Sequence, residues 1–66
     1  MKLKELRISA DMKQIEVAKQ IGCSTVVYSR YERGARQPDI ETLCKIADVF
    51  QVSVDDVIGR TVTTKN

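Results

Sequence analysis

The chain has 66 residues, 42% hydrophobic and 30% charged, with a formal net charge of +2. That length holds one compact domain and excludes a second core, and a domain so small rests on a few apolar residues and well-made helix ends. With no histidine and only two cysteines, Cys23 and Cys44, a four-ligand zinc site of the usual kind is excluded within one chain, and no metal or other cofactor is expected.

The segment Met1–Ile8 carries Lys2, Lys4, Glu5 and Arg7 and lacks the apolar run of a signal peptide or a membrane span. The expectation is a soluble, cytoplasmic protein with no membrane contact. Leu3, Leu6 and Arg7 at helical spacing predict a first helix from Lys2 to Ala10, ended by Asp11, a residue type that tolerates left-handed backbone. Met12 then turns inward. A second helix from Gln14 to Ile21 puts Val17, Ala18 and Ile21 on one face and points Lys19 and Gln20 outward, and Gly22 ends it as a C-cap glycine.

Ser24 follows as an N-cap, so two short helices meet through a turn of about three residues. In the third helix Tyr28 and Tyr31, three residues apart, face inward and read as core rather than as base-stacking platforms. Gly34 closes that helix. The polar loop Ala35–Pro38 leads to Asp39, a cap for a fourth helix running to Phe50, with Leu43, Ile46, Ala47 and Phe50 as its apolar stripe. Ser53 with Asp56 three residues later has the form of a capping box and opens a fifth helix, which passes through Val57 and Ile58 and stops at Gly59. The fold class is therefore all-α, a compact five-helix domain over residues 1–59 followed by a short tail, 60–66, either mobile or associated with a dimer.

Charge is unevenly placed. From Met1 to Pro38 there are eight Lys or Arg against four Asp or Glu, and from Asp39 to Ile58 one against five, which suits a molecule that turns its first part toward a polyanion. An ordinary solvated surface gives the same pattern. Free cysteines are commonly buried, and Cys23 and Cys44 read as two small buried thiols. A disulfide between them stays open, although no secretory signal favours it.

Helical hairpins are common in all-helical proteins, so the paired helices alone do not decide function. The residues add more. The run Gln14, Ala18, Ile21, Gly22, Ser24, then Ser29-Arg30-Tyr31-Glu32-Arg33-Gly34, resembles the phage-repressor and Cro-type (XRE) helix-turn-helix family. The likeness continues through Arg36, Gln37, Pro38, Glu41-Thr42-Leu43, Ile46-Ala47, Val52-Ser53-Val54-Asp55 and Gly59.

The resemblance implies a repressor-like fold and sequence-specific binding of double-stranded DNA, with the recognition helix, Ser24 to Arg33, in the major groove. It implies that Gln14 meets a phosphate at the start of the second helix; a solvated surface amide is the alternative. Ser24 and Thr25 lie near the backbone and the first base edges, and Ser24 can be an N-cap at the same time. Val26, Ser29 and Arg30 occupy base-reading positions, where valine can specify only through a thymine methyl and arginine can bond guanine bidentately. For Arg30 a phosphate contact or a surface ion pair remains open. Arg33 and Arg36 are expected to hold phosphates, which positions the protein without specifying sequence. Arg7 and Glu32 are expected to form a structural ion pair away from DNA.

Two departures stand out. Lys13 occupies a place where relatives have Ser or Thr and cannot cap the second helix, at a cost of about 1 kcal/mol. Val27 replaces a hydroxyl that would bond a phosphate. The expected function is a transcriptional regulator, a repressor binding an inverted-repeat operator as a homodimer; a protein-interaction module on the same fold is the other reading. The dimer is expected to form through Val54, Val57 and Ile58, with a strand at Thr61–Thr64 pairing across the two-fold axis. Enzyme activity is not expected, since the chain lacks histidine, a nucleotide-binding glycine loop and room for a pocket.

Overall fold

A computed structural model describes residues 1–59. It contains five helices: α1 (Leu3–Ser9), α2 (Gln14–Ile21), α3 (Thr25–Arg33), α4 (Ile40–Phe50) and α5 (Val54–Ile58). No helix of the described residues is long and apolar enough to cross a membrane. The strand anticipated at Thr61–Thr64 and the tail 60–66 lie outside the described residues.

Each helix contributes an apolar stripe to one core, whose fully buried members include Leu3 from α1, Val17 from α2, Tyr28 from α3, Ile46 from α4 and Val57 from α5. Helix α2 lies at the centre, packing on both α3 and α4, while α1 bridges α3 and α5. The Lys2 N–H donates to the Val57 carbonyl oxygen at 2.8 Å, fastening the start of the chain to α5. Burying one large apolar side chain is worth about 1.5–3 kcal/mol, so five such residues shared among five helices make the fold cooperative rather than modular.

The helix ends follow local chemistry. Ser24, Asp39 and Ser53 each stand in extended conformation and accept a backbone N–H three residues on, at 3.1, 2.8 and 3.1 Å. Among the described residues, two that are not glycine take left-handed backbone, Asp11 (φ 57°) after α1 and Gln51 (φ 58°) after α4. Asp11 has the anticipated conformation, whereas nothing in the amide side chain of Gln51 marked it as the stop for α4.

Lys13 is extended (φ −90°, ψ 158°) at the head of α2, and its side chain makes no capping bond. Its own N–H, however, donates to Glu16 Oε1 at 2.7 Å, so half of a capping box is in place. Lys13→Ser supplies the missing acceptor in a backbone already set for it. The expected gain is about 0.5–2 kcal/mol, or about 4–8 °C in Tm for each kcal/mol in a domain of this size. Thermal unfolding followed by circular dichroism checks this, and an unchanged or lowered Tm refutes it.

Two sequence-based expectations need correction. Cys44 is exposed and Cys23 only half-buried, and both are free. Cys44 follows Leu43 by about 100° of helical rotation, which carries it past the edge of the stripe formed by Leu43, Ile46, Ala47 and Phe50. Val57 is fully buried within its own chain and is therefore not available to a second copy, and Val54 packs partly on the same core. Ile58 is half-buried.

Candidate nucleic-acid interface

Helix α2 ends in a turn that only a short, flexible sequence can make. Gly22 adopts φ 81°, which strains any side-chain-bearing residue. The N–H groups of Gly22 and Cys23 both return to the Ala18 carbonyl oxygen, at 2.9 and 3.0 Å. This doubling back satisfies the end of α2 and delivers Ser24 at once as the cap of α3.

Because Tyr28 and Tyr31 are buried, the opposite side of α3 is set by helical rotation alone. Along it Thr25 and Ser29 are half-buried, and Val26, Arg30 and Arg33 are exposed. Gly34 (φ 75°) ends the helix, and the Arg30 carbonyl oxygen then accepts the N–H of Ala35 at 2.9 Å and of Arg36 at 3.4 Å. Arg36 is thereby held close to the end of α3, exposed like its neighbours. Among the described residues Arg30, Arg33 and Arg36 join no salt bridge.

Behind this face the structure brings Arg7, Gln14 and Glu32 together. Arg7 Nε donates to Glu32 Oε2 at 2.6 Å and Nη2 to Oε1 at 3.3 Å, a bidentate pair with side chains 15% and 5% exposed. Its remaining nitrogen, Nη1, donates to the Met12 carbonyl oxygen at 3.0 Å. Gln14 Nε2 donates to Glu32 Oε1 at 3.0 Å. One carboxylate at the end of α3 thus gathers α1 and the first residue of α2.

Burial by itself would raise the Glu32 carboxyl, but the hydrogen bonds from Arg7 and Gln14 outweigh it and hold the group below its ordinary value. Tyr28 lies against the same cluster. Its buried hydroxyl faces the Glu32 carboxylate but, among the described residues, makes no hydrogen bond of good geometry. Burial, and after it the adjacent carboxylate, push the phenol well above its ordinary range, so it stays neutral. Burial likewise raises the Cys23 thiol.

The Gln14–Glu32 bond had no counterpart in the sequence reading, which left Gln14 free for a phosphate or for water. One of its amide hydrogens is engaged, and the second hydrogen and the carbonyl oxygen remain. Nothing local signals this partner, which lies 18 residues away. Glu16 as a helper of the α2 cap was legible, since it stands three residues after Lys13 at the place a capping box requires.

A helix-turn-helix family model matches residues 3–57. The cryptic phage CTXphi transcriptional repressor RstR of Vibrio cholerae is 39% identical over an alignment of 70 residues that covers 100% of this chain and 62% of the relative. The HTH-type transcriptional regulator ImmR of Bacillus subtilis is 36% identical over 64 residues, 97% of this chain and 50% of the relative. Antitoxin PezA of Streptococcus pneumoniae is 37% identical over 58 residues, 88% of this chain and 37% of the relative. The chain therefore spans less than two thirds of the length of each. No solved structure matches it.

Proposed function

We propose, from the premise that this chain belongs to the phage-repressor and Cro-type helix-turn-helix family, that it is a sequence-specific DNA-binding transcriptional regulator, a repressor that occupies an inverted-repeat operator as a homodimer. The observation that carries the reading is the outer side of α3: exposed Arg30 and Arg33, engaged in no ion pair among the described residues, opposite a buried pair of tyrosines. That arrangement leaves the cationic side of a rigid, short-turned helix free to enter a major groove. Repressor and regulator are also the words in the names of two of the relatives.

In this reading Thr25, Val26, Ser29 and Arg30 face base edges. Gln14, Ser24, Arg33 and Arg36 hold phosphates, Gln14 through the amide hydrogen that Glu32 leaves free. Arg7 and Glu32 support the fold behind them. Two copies meet through Ile58 and the outer part of Val54, since Val57 is inside its own core.

Selection of bound sequences from random duplex DNA tests the proposal. The expected product is a motif of two inverted halves centred about 10–10.5 base pairs apart. Weak, sequence-blind binding at physiological salt favours instead a protein-interaction module.

On a panel of variants of the selected site, Arg30→Ala and Arg36→Ala are expected to fail differently. The first loses about 1–3 kcal/mol on the preferred site and flattens discrimination at one base pair, because mismatched sites never offered that bond. The second weakens all sites alike and lowers the salt slope by about one counterion, since every duplex presents the same phosphates. A uniform loss from both substitutions removes Arg30 from the base-reading set and leaves specificity to Thr25, Val26 and DNA shape.

A further inference from the structure

We infer that the hollow at the end of α3 is a regulatory anion site: it seats a small phosphate monoester on Arg33 and Arg36, and the seated ester competes with the operator. The competition rests on the proposed function, in which the same two arginines hold DNA phosphates; the site itself does not. A cavity of about 240 Å³ lies there, its apolar lining Met1 and Tyr31 and its polar lining Glu32, Arg33, Arg36 and Gln37.

The charge of that lining is one-sided. Glu32 is its acid, and both carboxylate oxygens are already taken, Oε2 by Arg7 and Oε1 by Arg7 and Gln14. Arg33 and Arg36 are exposed and join no salt bridge among the described residues. A concave wall with uncompensated charge of one sign focuses the field and gathers counter-ions. The end of α3 opposes this with the partial negative charge of its last carbonyls. The Arg30 carbonyl oxygen, however, already accepts the N–H groups of Ala35 and Arg36, so two guanidiniums outweigh what remains.

The forked guanidinium matches phosphate oxygens in pairs. Two of them balance the charge of about −1.5 to −2 that a phosphate monoester carries at pH 7, whereas each backbone phosphate of DNA carries a single charge. Cavities for drug-sized ligands run to about 300–1,000 Å³, so the occupant here is smaller, a phosphate with one short or single-ring substituent. The Tyr31 ring and the Met1 thioether give that substituent an apolar wall. An arginine bonded to the ester is withheld from the operator backbone. Occupancy therefore weakens all duplexes by the same factor and leaves base preference unchanged, because phosphate contacts carry no sequence information.

The test titrates the native chain with phenyl phosphate at pH 7 and constant ionic strength, followed by backbone amide NMR signals. Those of Gly34 and Gln37, which line the cavity, are expected to shift and saturate. Arg36→Ala should weaken the midpoint about tenfold, the worth of a charge-assisted hydrogen bond. Lys19→Ala, which removes an exposed charge outside the cavity, should leave it unchanged. At ten times the midpoint concentration, phenyl phosphate should lower the affinity of the native chain for its selected duplex about tenfold, and for mismatched duplexes by the same factor. Shifts that do not saturate, or a midpoint unchanged in Arg36→Ala, overturn the anion site. Saturation that leaves duplex affinity unchanged overturns the competition while sequence-specific binding stands. If no duplex is selected at all, the proposed function and the competition fail together, and the titration still decides the anion site.

Discussion

Glu32→Ala is expected to cost about 2–4 kcal/mol of folding stability, somewhat under the 3–5 kcal/mol typical when a fully buried ion pair is broken from one side. The Arg7 guanidinium is left with little solvent, its side chain being 15% exposed, and Gln14 loses its acceptor as well. A domain of this length has about 3–10 kcal/mol in total, so a large share is removed and a measurable unfolded population should appear at 37 °C. Urea unfolding at pH 7 measures the loss, and an unchanged midpoint refutes it. Replacing both partners with apolar residues, Arg7→Met with Glu32→Leu, should recover part of it because no charge is then left buried.

The same carboxylate gives a pH signature. Its pKa is lowered on folding, so the stability it contributes is present above its unfolded value of about 4.3 and is lost as pH falls toward the lower folded value. The stability gap between the native protein and Glu32→Gln should therefore be constant from pH 7 to about 5 and shrink below that. A gap that widens on acidification would reverse the sign argued here.

The second large effect is at Tyr28. It is the largest fully buried side chain among the described residues, at 0% exposure, and its loss in Tyr28→Ala is expected to cost about 3–5 kcal/mol, as for other buried aromatics. Tyr28→Phe should behave quite differently. The buried hydroxyl faces Glu32 but makes no hydrogen bond of good geometry, so removing it is expected to change stability by less than about 1 kcal/mol. Chemical denaturation of the two variants decides the matter. A loss of about 1 kcal/mol in Tyr28→Phe, the worth of an ordinary hydrogen bond, would mean that the hydroxyl is bonded after all. Unchanged DNA affinity in Tyr28→Phe is expected as well, since the ring sits in the core and not on the outer side of α3.

The five helices and their ends were legible in the sequence because their causes are local. Gly22, Ser24, Gly34, Asp39 and the Ser53–Asp56 pair act through bonds that span six residues or fewer, and the spacing of Val17, Ala18, Ile21 or Ile46, Ala47 fixes a buried face by rotation alone. The outer side of α3 followed for the same reason: once Tyr28 and Tyr31 are inside, Val26, Arg30 and Arg33 have no other direction to take. Tertiary structure decided what depends on how the helices cross. It joined Gln14 to Glu32 and Lys2 to Val57, set the hydroxyl of Tyr28 against Glu32, enclosed Val57 and exposed Cys44. Arg7 and Glu32 stood together in the sequence reading only through resemblance, for periodicity states which side of a helix a residue occupies and never which residue of another helix it will meet.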